Sequence, residues 1–83
     1  MIYVDEARNR YGRFVMSHLF ACPADPDELD LFAGRLGLRP EWRHNDHYDV
    51  CQSWRRRAIK AGAVPVSGQR LRRLVAEMRG HVR

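Results

Sequence analysis

The densest chemistry in this sequence lies between residues 42 and 51. This stretch contains two histidines, two aspartates, a cysteine, a tryptophan and a tyrosine, and helical patterns flank it on both sides. Asp5, Arg13 and His18 add further reactive side chains upstream. A histidine paired with a carboxylate can act as a general base, because the carboxylate fixes its tautomer and stabilises the imidazolium.

One hypothesis is therefore an enzyme site built from Asp5, His18, His47 and Asp49. Arg13 would hold a phosphate or a developing oxyanion beside them. Phosphoester hydrolysis is the favoured reaction because the surroundings are basic, and the sequence has no nucleophile motif around a serine or cysteine. No cofactor is expected.

A metal ion is an alternative, with His44, His47, Asp49 and Cys51 as candidate ligands. This mixed cluster lacks the paired ligand spacings of structural zinc sites, so the sequence favours no metal. A simpler interpretation gives the stretch a structural role, in which Asp49 caps a following helix and His47 bonds to backbone. By the same logic, His18 is a buried neutral histidine with an internal hydrogen bond.

Charge is distributed unevenly along the chain. Residues 1–50 carry six arginines and nine acids, a net charge of −3, whereas residues 51–83 carry nine basic residues and one acid, a net charge of +8. The last third is a candidate polyanion-binding surface, and its predicted contact residues are Arg55, Arg56, Lys60, Arg70, Arg72, Arg73 and Arg79.

These patterns favour a module that binds nucleic acid or nucleotide phosphate, with the His/Asp hydrolase as the alternative. An accessory protein that docks on a host protein or on a second copy of itself is a third hypothesis. The acids at positions 5 and 6 do not fit a secretion signal, and the longest apolar run is too short to span a bilayer. With two cysteines, both expected as free thiols, the sequence predicts a cytoplasmic protein without membrane contact.

The apolar patterning predicts a single α/β domain over residues 1–83, with a small mixed sheet of about four short strands and three helices. Residues 14–21 alternate with a period of two and are apolar on both faces, which is typical of a central strand. The other strands are predicted at 2–4, 47–50 and 63–66, the helices at 26–36, 52–61 and 68–79, and a polar loop at 6–13.

The chain resembles small bacterial and phage proteins grouped as the domain-of-unknown-function family numbered 4031. The matching segments cover nearly the whole chain in order: Ile2-Tyr3-Val4-Asp5, Gly12-Arg13, Ser17-His18-Leu19, Glu28-Leu29, Leu36-Gly37, His47-Tyr48-Asp49 and Ala61-Gly62-Ala63. The resemblance implies a compact stand-alone domain with no settled activity. It also implies that Glu6 replaces a frequent aspartate and that Asp30 replaces a frequent histidine.

Overall fold

The computed structural model describes residues 1–6 and 9–78. The chain alternates strands and helices around one mixed sheet. In order, the elements are β1 (Ile2–Asp5), β2 (Asn9–Tyr11), β3 (Phe14–Ala21), α1 (Pro26–Leu36), a short 3-10 helix (Pro40–Trp42), β4 (Arg43–His44), β5 (His47–Cys51), α2 (Gln52–Lys60), β6 (Val64–Val66) and α3 (Gly68–Met78).

The main path of the sheet has the order β4-β5-β3-β1-β6, and β2 forms a hairpin with the start of β3. β3 is antiparallel to both β1 and β5, while β6 is parallel to β1. β1, β5 and β6 therefore run in the same direction. The register pairs Val4 with Leu19 and His18 with Asp49, which places the middle of β3 beside the end of β1.

Alternation along the strands separates two packing layers. One sheet face contributes Val4, Leu19 and Val50 to a core that α1 and α2 complete. The opposite face contributes Tyr3 and Phe20 to a smaller core closed by α3. A strand with apolar residues on both faces needs cover on both faces, and β3 receives it.

The start of α1 follows its sequence signals. The side chain of Asp25 accepts a hydrogen bond from the Glu28 backbone N–H, Pro26 occupies the first turn, and Gly37 ends the helix at a positive φ of 101°. In a full capping box, the Glu28 carboxylate would accept a hydrogen bond from the backbone N–H of Asp25. Here it pairs instead with the terminal ammonium of Met1, at 3.0 Å. This ion pair links the helix to the start of β1.

The prediction of an α/β domain with three helices and a mixed sheet is confirmed, but the sheet has more strands than the four predicted. The expected polar loop at 6–13 contains β2, and the stretch before β5 contains β4. Both extra strands are too short for periodicity to reveal them, because their pairing depends on the neighbouring strand. The predicted end of the last helix, with Arg79, lies outside the described residues. Within residues 1–6 and 9–78, no helix has the length and apolar character needed to cross a bilayer.

Candidate metal centre

The site lies on the sheet face that α3 covers only in part. Beyond Tyr3 and Phe20, the same face of β3 and β5 presents His18, His47 and Asp49, all partly exposed. Because side chains alternate along a strand, His47 and Asp49 point away from the core while Tyr48 between them is buried.

Asp5 holds His18 by two contacts. Its Oδ1 accepts the backbone N–H of His18 at 2.8 Å, and its Oδ2 lies 2.6 Å from Nδ1 of the imidazole. Asp5 is 2% exposed. An ionised carboxylate can only accept, so Nδ1 carries the proton and Nε2 presents its lone pair to the exposed side of the sheet.

The same pair affects the acidity of His18. The hydrogen bond to Asp5 raises the pKa of His18 above its ordinary value, against the opposite effect of partial burial. The negative charges of Asp5, Asp49 and Asp46 add to the rise. The sequence expectation of a histidine with an internal hydrogen bond is therefore met in part, since His18 has that bond and yet remains 31% exposed.

His47 repeats this arrangement on the neighbouring strand. Its Nδ1 lies 3.0 Å from Oδ1 of Asp46, and its Nε2 lies 3.5 Å from Oδ1 of Asp49. The Nε2 of His18 approaches the same Asp49 oxygen at 3.8 Å. Each histidine thus has a carboxylate at Nδ1 and directs Nε2 toward Asp49, the arrangement typical of metal-ligating histidines.

The distances suit three ligands around a common ion better than direct hydrogen bonds. Separations of 3.5 and 3.8 Å exceed the hydrogen-bonding range. A tetrahedral ion with ligands at about 2.1 Å separates them by about 3.4 Å. One ligand atom each from His18, His47 and Asp49 lies within 4.8 Å of the other two. The group can therefore hold a divalent cation with small adjustments.

His44 adds a fourth side chain beside the three ligand residues, and His18, His44, His47 and Asp49 together form the His/Asp cluster. Its Nε2 lies 3.7 Å from Oδ2 of Asp49, and its ring stacks near that of His47, with centroids 6.0 Å apart. When ionised, Asp5, Asp46 and Asp49 place three negative charges around the imidazoles. This local field favours a cation over a free phosphate.

The remaining predicted site residues lie elsewhere. The guanidinium of Arg13 sits over the Phe14 ring, 5.7 Å from its centroid, rather than on the His/Asp cluster. The Cys51 thiol contacts the Ser53 hydroxyl at 3.3 Å, and the group of converging ligand atoms comprises His18, His47 and Asp49 without Cys51. Asp49 lies on the sheet face and does not cap α2, whose cap position is Cys51.

Arg55 corrects a prediction about α2. It was predicted to lie on the polyanion-binding surface, but it is half-buried and its Nε donates to the backbone carbonyl of Asp5 at 2.9 Å. Arg56 and Lys60 are exposed on the same helix, as are Arg70, Arg72 and Arg73 on α3. The basic surface predicted from the sequence is therefore accessible at five positions of the described chain.

Asp30 belongs to a separate network. Its Oδ1 accepts a hydrogen bond from the Tyr48 hydroxyl at 2.7 Å and pairs with Nε of Arg43 at 3.0 Å. Tyr48 points to the face covered by α1, away from the His/Asp cluster. The position at which the resemblance implies a histidine thus lies apart from the cluster.

Sequence reasoning did not select Asp46. Its available signal was adjacency to His47, which lets the two side chains meet at the turn before β5. The convergence of His18 with His47 had no such signal, because 28 residues separate them and only the pairing of β3 with β5 joins them.

Comparisons with known proteins give one result. No curated protein and no solved structure matches the chain. A family model described as protein of unknown function (DUF4031) matches residues 2–78, a span that includes the whole His/Asp cluster. The chain belongs to the DUF4031 family.

Proposed function

We propose that this protein is a metal-dependent hydrolase of phosphoesters whose ion is held by His18, His47 and Asp49. The observation that carries the proposal is the approach of these three ligand atoms to within 4.8 Å of one another. Two further carboxylates orient the histidines from behind. An Nε2, Nε2, carboxylate set is a common catalytic ligand group for Zn²⁺ and for Fe²⁺.

Three protein ligands leave coordination positions for water and substrate, unlike a closed structural site. A divalent ion in such a site supplies a water of lowered pKa and neutralises charge on a phosphoryl oxygen. In hydrolysis, the water would lose a proton as its oxygen bonds to phosphorus, the bond from phosphorus to the leaving oxygen would break, and the leaving oxygen would take up a proton.

The chain's own groups complete this chemistry. Asp5 and Asp46 would hold the neutral form of each imidazole in the tautomer with the proton on Nδ1, which leaves the lone pair of Nε2 to bind an ion. His44 is 67% exposed and lies beside Oδ2 of Asp49, whereas His18 and His47 approach Oδ1. From that position it can donate a hydrogen bond, and then a proton, to the leaving oxygen.

A phosphoester is the substrate class that the surrounding charge supports. α3 packs on the same sheet face as the cluster and exposes Arg70, Arg72 and Arg73. These arginines attract a polyanion to a face whose centre is itself acidic. The polyanion-binding surface expected from the sequence thereby becomes part of the same proposal, as the region that guides substrate toward the ion.

The test is metal binding and hydrolysis by the purified protein. Metal-stripped protein is titrated calorimetrically with Zn²⁺, Mn²⁺, Co²⁺ and Fe²⁺, and activity is measured on mono- and diester nitrophenyl phosphates. We expect one ion per chain and turnover that depends on it. His18→Ala, His47→Ala and Asp49→Ala should each abolish both.

Asp27→Ala is the matched control, because it removes an exposed carboxylate from α1, on the other side of the sheet. It should bind metal and turn over like the wild type. Failure of all four ions to bind stoichiometrically would overturn the metal site. Binding without hydrolysis of either ester would overturn the reaction while leaving the site.

A further inference from the structure

An aromatic groove adjoins the His/Asp cluster. It has a volume of about 550 Å³, within the range of small-molecule sites. Phe14, Trp42 and Trp54 supply its rings, and Met16 and Leu38 supply aliphatic surface. Trp42 is 46% exposed and Phe14 is 53% exposed. Large rings left open to solvent beside a cluster of reactive side chains are typical of a binding surface.

The groove arises because β4 is short. β4 pairs only with His47 and Tyr48, so among the described residues no strand pairs with Asp49–Cys51 on the edge of β5 that lies opposite β3. The 3-10 helix and the start of α2 instead border this edge, and they contribute Trp42 and Trp54.

The groove and the His/Asp cluster share two side chains, of which Asp49 is a proposed metal ligand. Asp49 and His44 line the groove and also belong to the His/Asp cluster. A ligand in the groove can therefore reach the ion without leaving the surface. Glu41 adds a second carboxylate to the lining. Carboxylates accept hydrogen bonds from ring N–H and amino groups, which a saturated apolar ligand lacks.

Two arginines flank the aromatic walls. The guanidinium of Arg13 lies over Phe14, and that of Arg57 lies over Trp54, 4.7 Å from its centroid. They place positive charge beside rings that can stack on a planar base, the combination used to bind single-stranded nucleic acid. The Arg13 guanidinium thus lies beside the groove instead of on the His/Asp cluster.

We infer that the groove binds the base of a nucleotide unit whose phosphate group lies at the His18, His47 and Asp49 site. The placement of the phosphate rests on the proposed function, whereas the placement of the base rests on the groove alone. The rings supply stacking, Asp49 and Glu41 supply acceptors for amino groups, and the arginines supply charge complementary to phosphate.

Tryptophan emission gives a direct test, because both tryptophans of the chain line the groove. The protein is excited at the long-wavelength side of tryptophan absorption, where nucleotides do not absorb, and titrated with the four common nucleoside 5′-monophosphates. We expect saturable quenching, and none with ribose 5-phosphate, which lacks a base. Trp42→Ala, followed through Trp54, should weaken binding about tenfold, the effect of losing one stacking partner.

Two controls guard against nonspecific effects. Trp42→Phe keeps a ring and should retain most of the affinity. Leu31→Ala removes an exposed apolar side chain of α1 that does not line the groove, and this variant should bind like the wild type. An equal loss in all three variants would overturn the assignment of the base to the groove.

His18→Ala separates this inference from the proposed function, because His18 belongs to the ligand group but not to the groove lining. We expect this variant to lose metal-dependent turnover and still bind adenosine, which has no phosphate. Metal-dependent hydrolysis of simple esters without any quenching by nucleotides would overturn the inference and leave the proposed function. Quenching without metal binding would do the reverse.

Two remaining arms concern the occupant. Stronger quenching by a single-stranded tetranucleotide than by the monophosphates would show that the nucleotide unit belongs to a strand, and the reverse order would identify a free nucleotide. A change in tryptophan emission with protein concentration alone, accompanied by a doubled mass, would place a second copy of the chain in the groove and overturn the inference.

Discussion

Replacing Asp5 with asparagine should weaken metal binding strongly, although it changes none of the three proposed ligand residues. Asp5 provides both contacts that fix His18, at 2.8 Å to the backbone N–H and at 2.6 Å to Nδ1. Asparagine keeps one carbonyl oxygen, so it cannot accept at both positions. With its amide facing the imidazole, Nδ1 becomes the acceptor and the proton moves to Nε2, which blocks the nitrogen that should bind the ion.

The expected size of the effect follows from the burial of the pair. Loss of a carboxylate behind a ligating histidine costs about 10- to 100-fold in metal affinity, or about 1.4–2.8 kcal/mol. Asp5 is 2% exposed and makes two contacts to His18, so Asp5→Asn should weaken zinc affinity about 100-fold. Asp46 is 29% exposed and contacts Nδ1 of His47, so Asp46→Asn should weaken zinc affinity about tenfold.

The assay is competition for Zn²⁺ with a chromogenic chelator, supported by urea unfolding to confirm that each variant is folded. Nitrogen-15 chemical shifts of the metal-free protein report the tautomer of His18 directly, independently of affinity. Asp27→Asn serves as the control carboxylate and should change neither quantity. Wild-type zinc affinity in Asp5→Asn, or a His18 tautomer that stays the same, would refute the role given to this buried carboxylate.

Three further predictions concern the scaffold. Burial raises the pKa of Tyr48 to about 12, and its hydrogen bond to Asp30 adds to the rise. The bond therefore stabilises the fold below about pH 10, the pKa of tyrosine in the unfolded chain. This stabilisation is lost between about pH 10 and 12. Tyr48→Phe should therefore lower the free energy of unfolding by about 1–3 kcal/mol at neutral pH. When urea unfolding is repeated over a series of pH values, the difference from wild type should vanish at the high-pH end. Burial raises the pKa of the Cys51 thiol, but hydrogen bonds from Ser53 and from the first backbone N–H groups of α2 outweigh it, whereas burial raises the pKa of Cys22 without such compensation. Mass spectrometry should find iodoacetamide at Cys51 well before Cys22, and equal rates would contradict this. Asp25→Ala removes the cap of α1 and should destabilise the fold by about 1 kcal/mol while zinc affinity stays at the wild-type value.

Local signals predicted the elements that carry such signals. The bounds of β3 follow from alternation over eight residues, and the start and end of α1 follow from Asp25, Pro26 and Gly37. β2 and β4 have three and two residues, too few for a period to appear. Their existence depends on the hydrogen-bonding edges of β3 and β5, which the sequence does not display.

The candidate site was predictable as a set of residues but not as a geometry. Asp5, His18, His47 and Asp49 were selected from their types, and the structure brings all four together. The distances among these side chains depend on the register between β3 and β5, and a shift of one residue would give each side chain different neighbours. The sequence disfavoured a metal because the ligand spacing matched no zinc motif. In a sheet, ligands come from facing strands, so linear spacing between them carries little information.

Arg55 shows a second limit of prediction from the sequence. Helical periodicity gave its position on α2 correctly, but it does not give the reach of a long side chain. The guanidinium extends back to the Asp5 carbonyl, so the helix and the first strand are joined at the residue that also orients His18.

The alternation of β5 has a consequence for how site and fold depend on each other. Tyr48 and Val50 are each 1% exposed, whereas the alternating residues His47 and Asp49 point to the opposite, partly exposed face of the sheet. A slip of one residue would bury the imidazole and the carboxylate and expose the two core side chains, at a cost that a domain of this size cannot sustain. Burial of Tyr48 and Val50 in the core therefore excludes a folded molecule in which β5 is shifted by one residue. Mutational scanning should find substitutions at positions 47 and 49 that remove function and leave folding intact, whereas substitutions at 48 and 50 should lose both together.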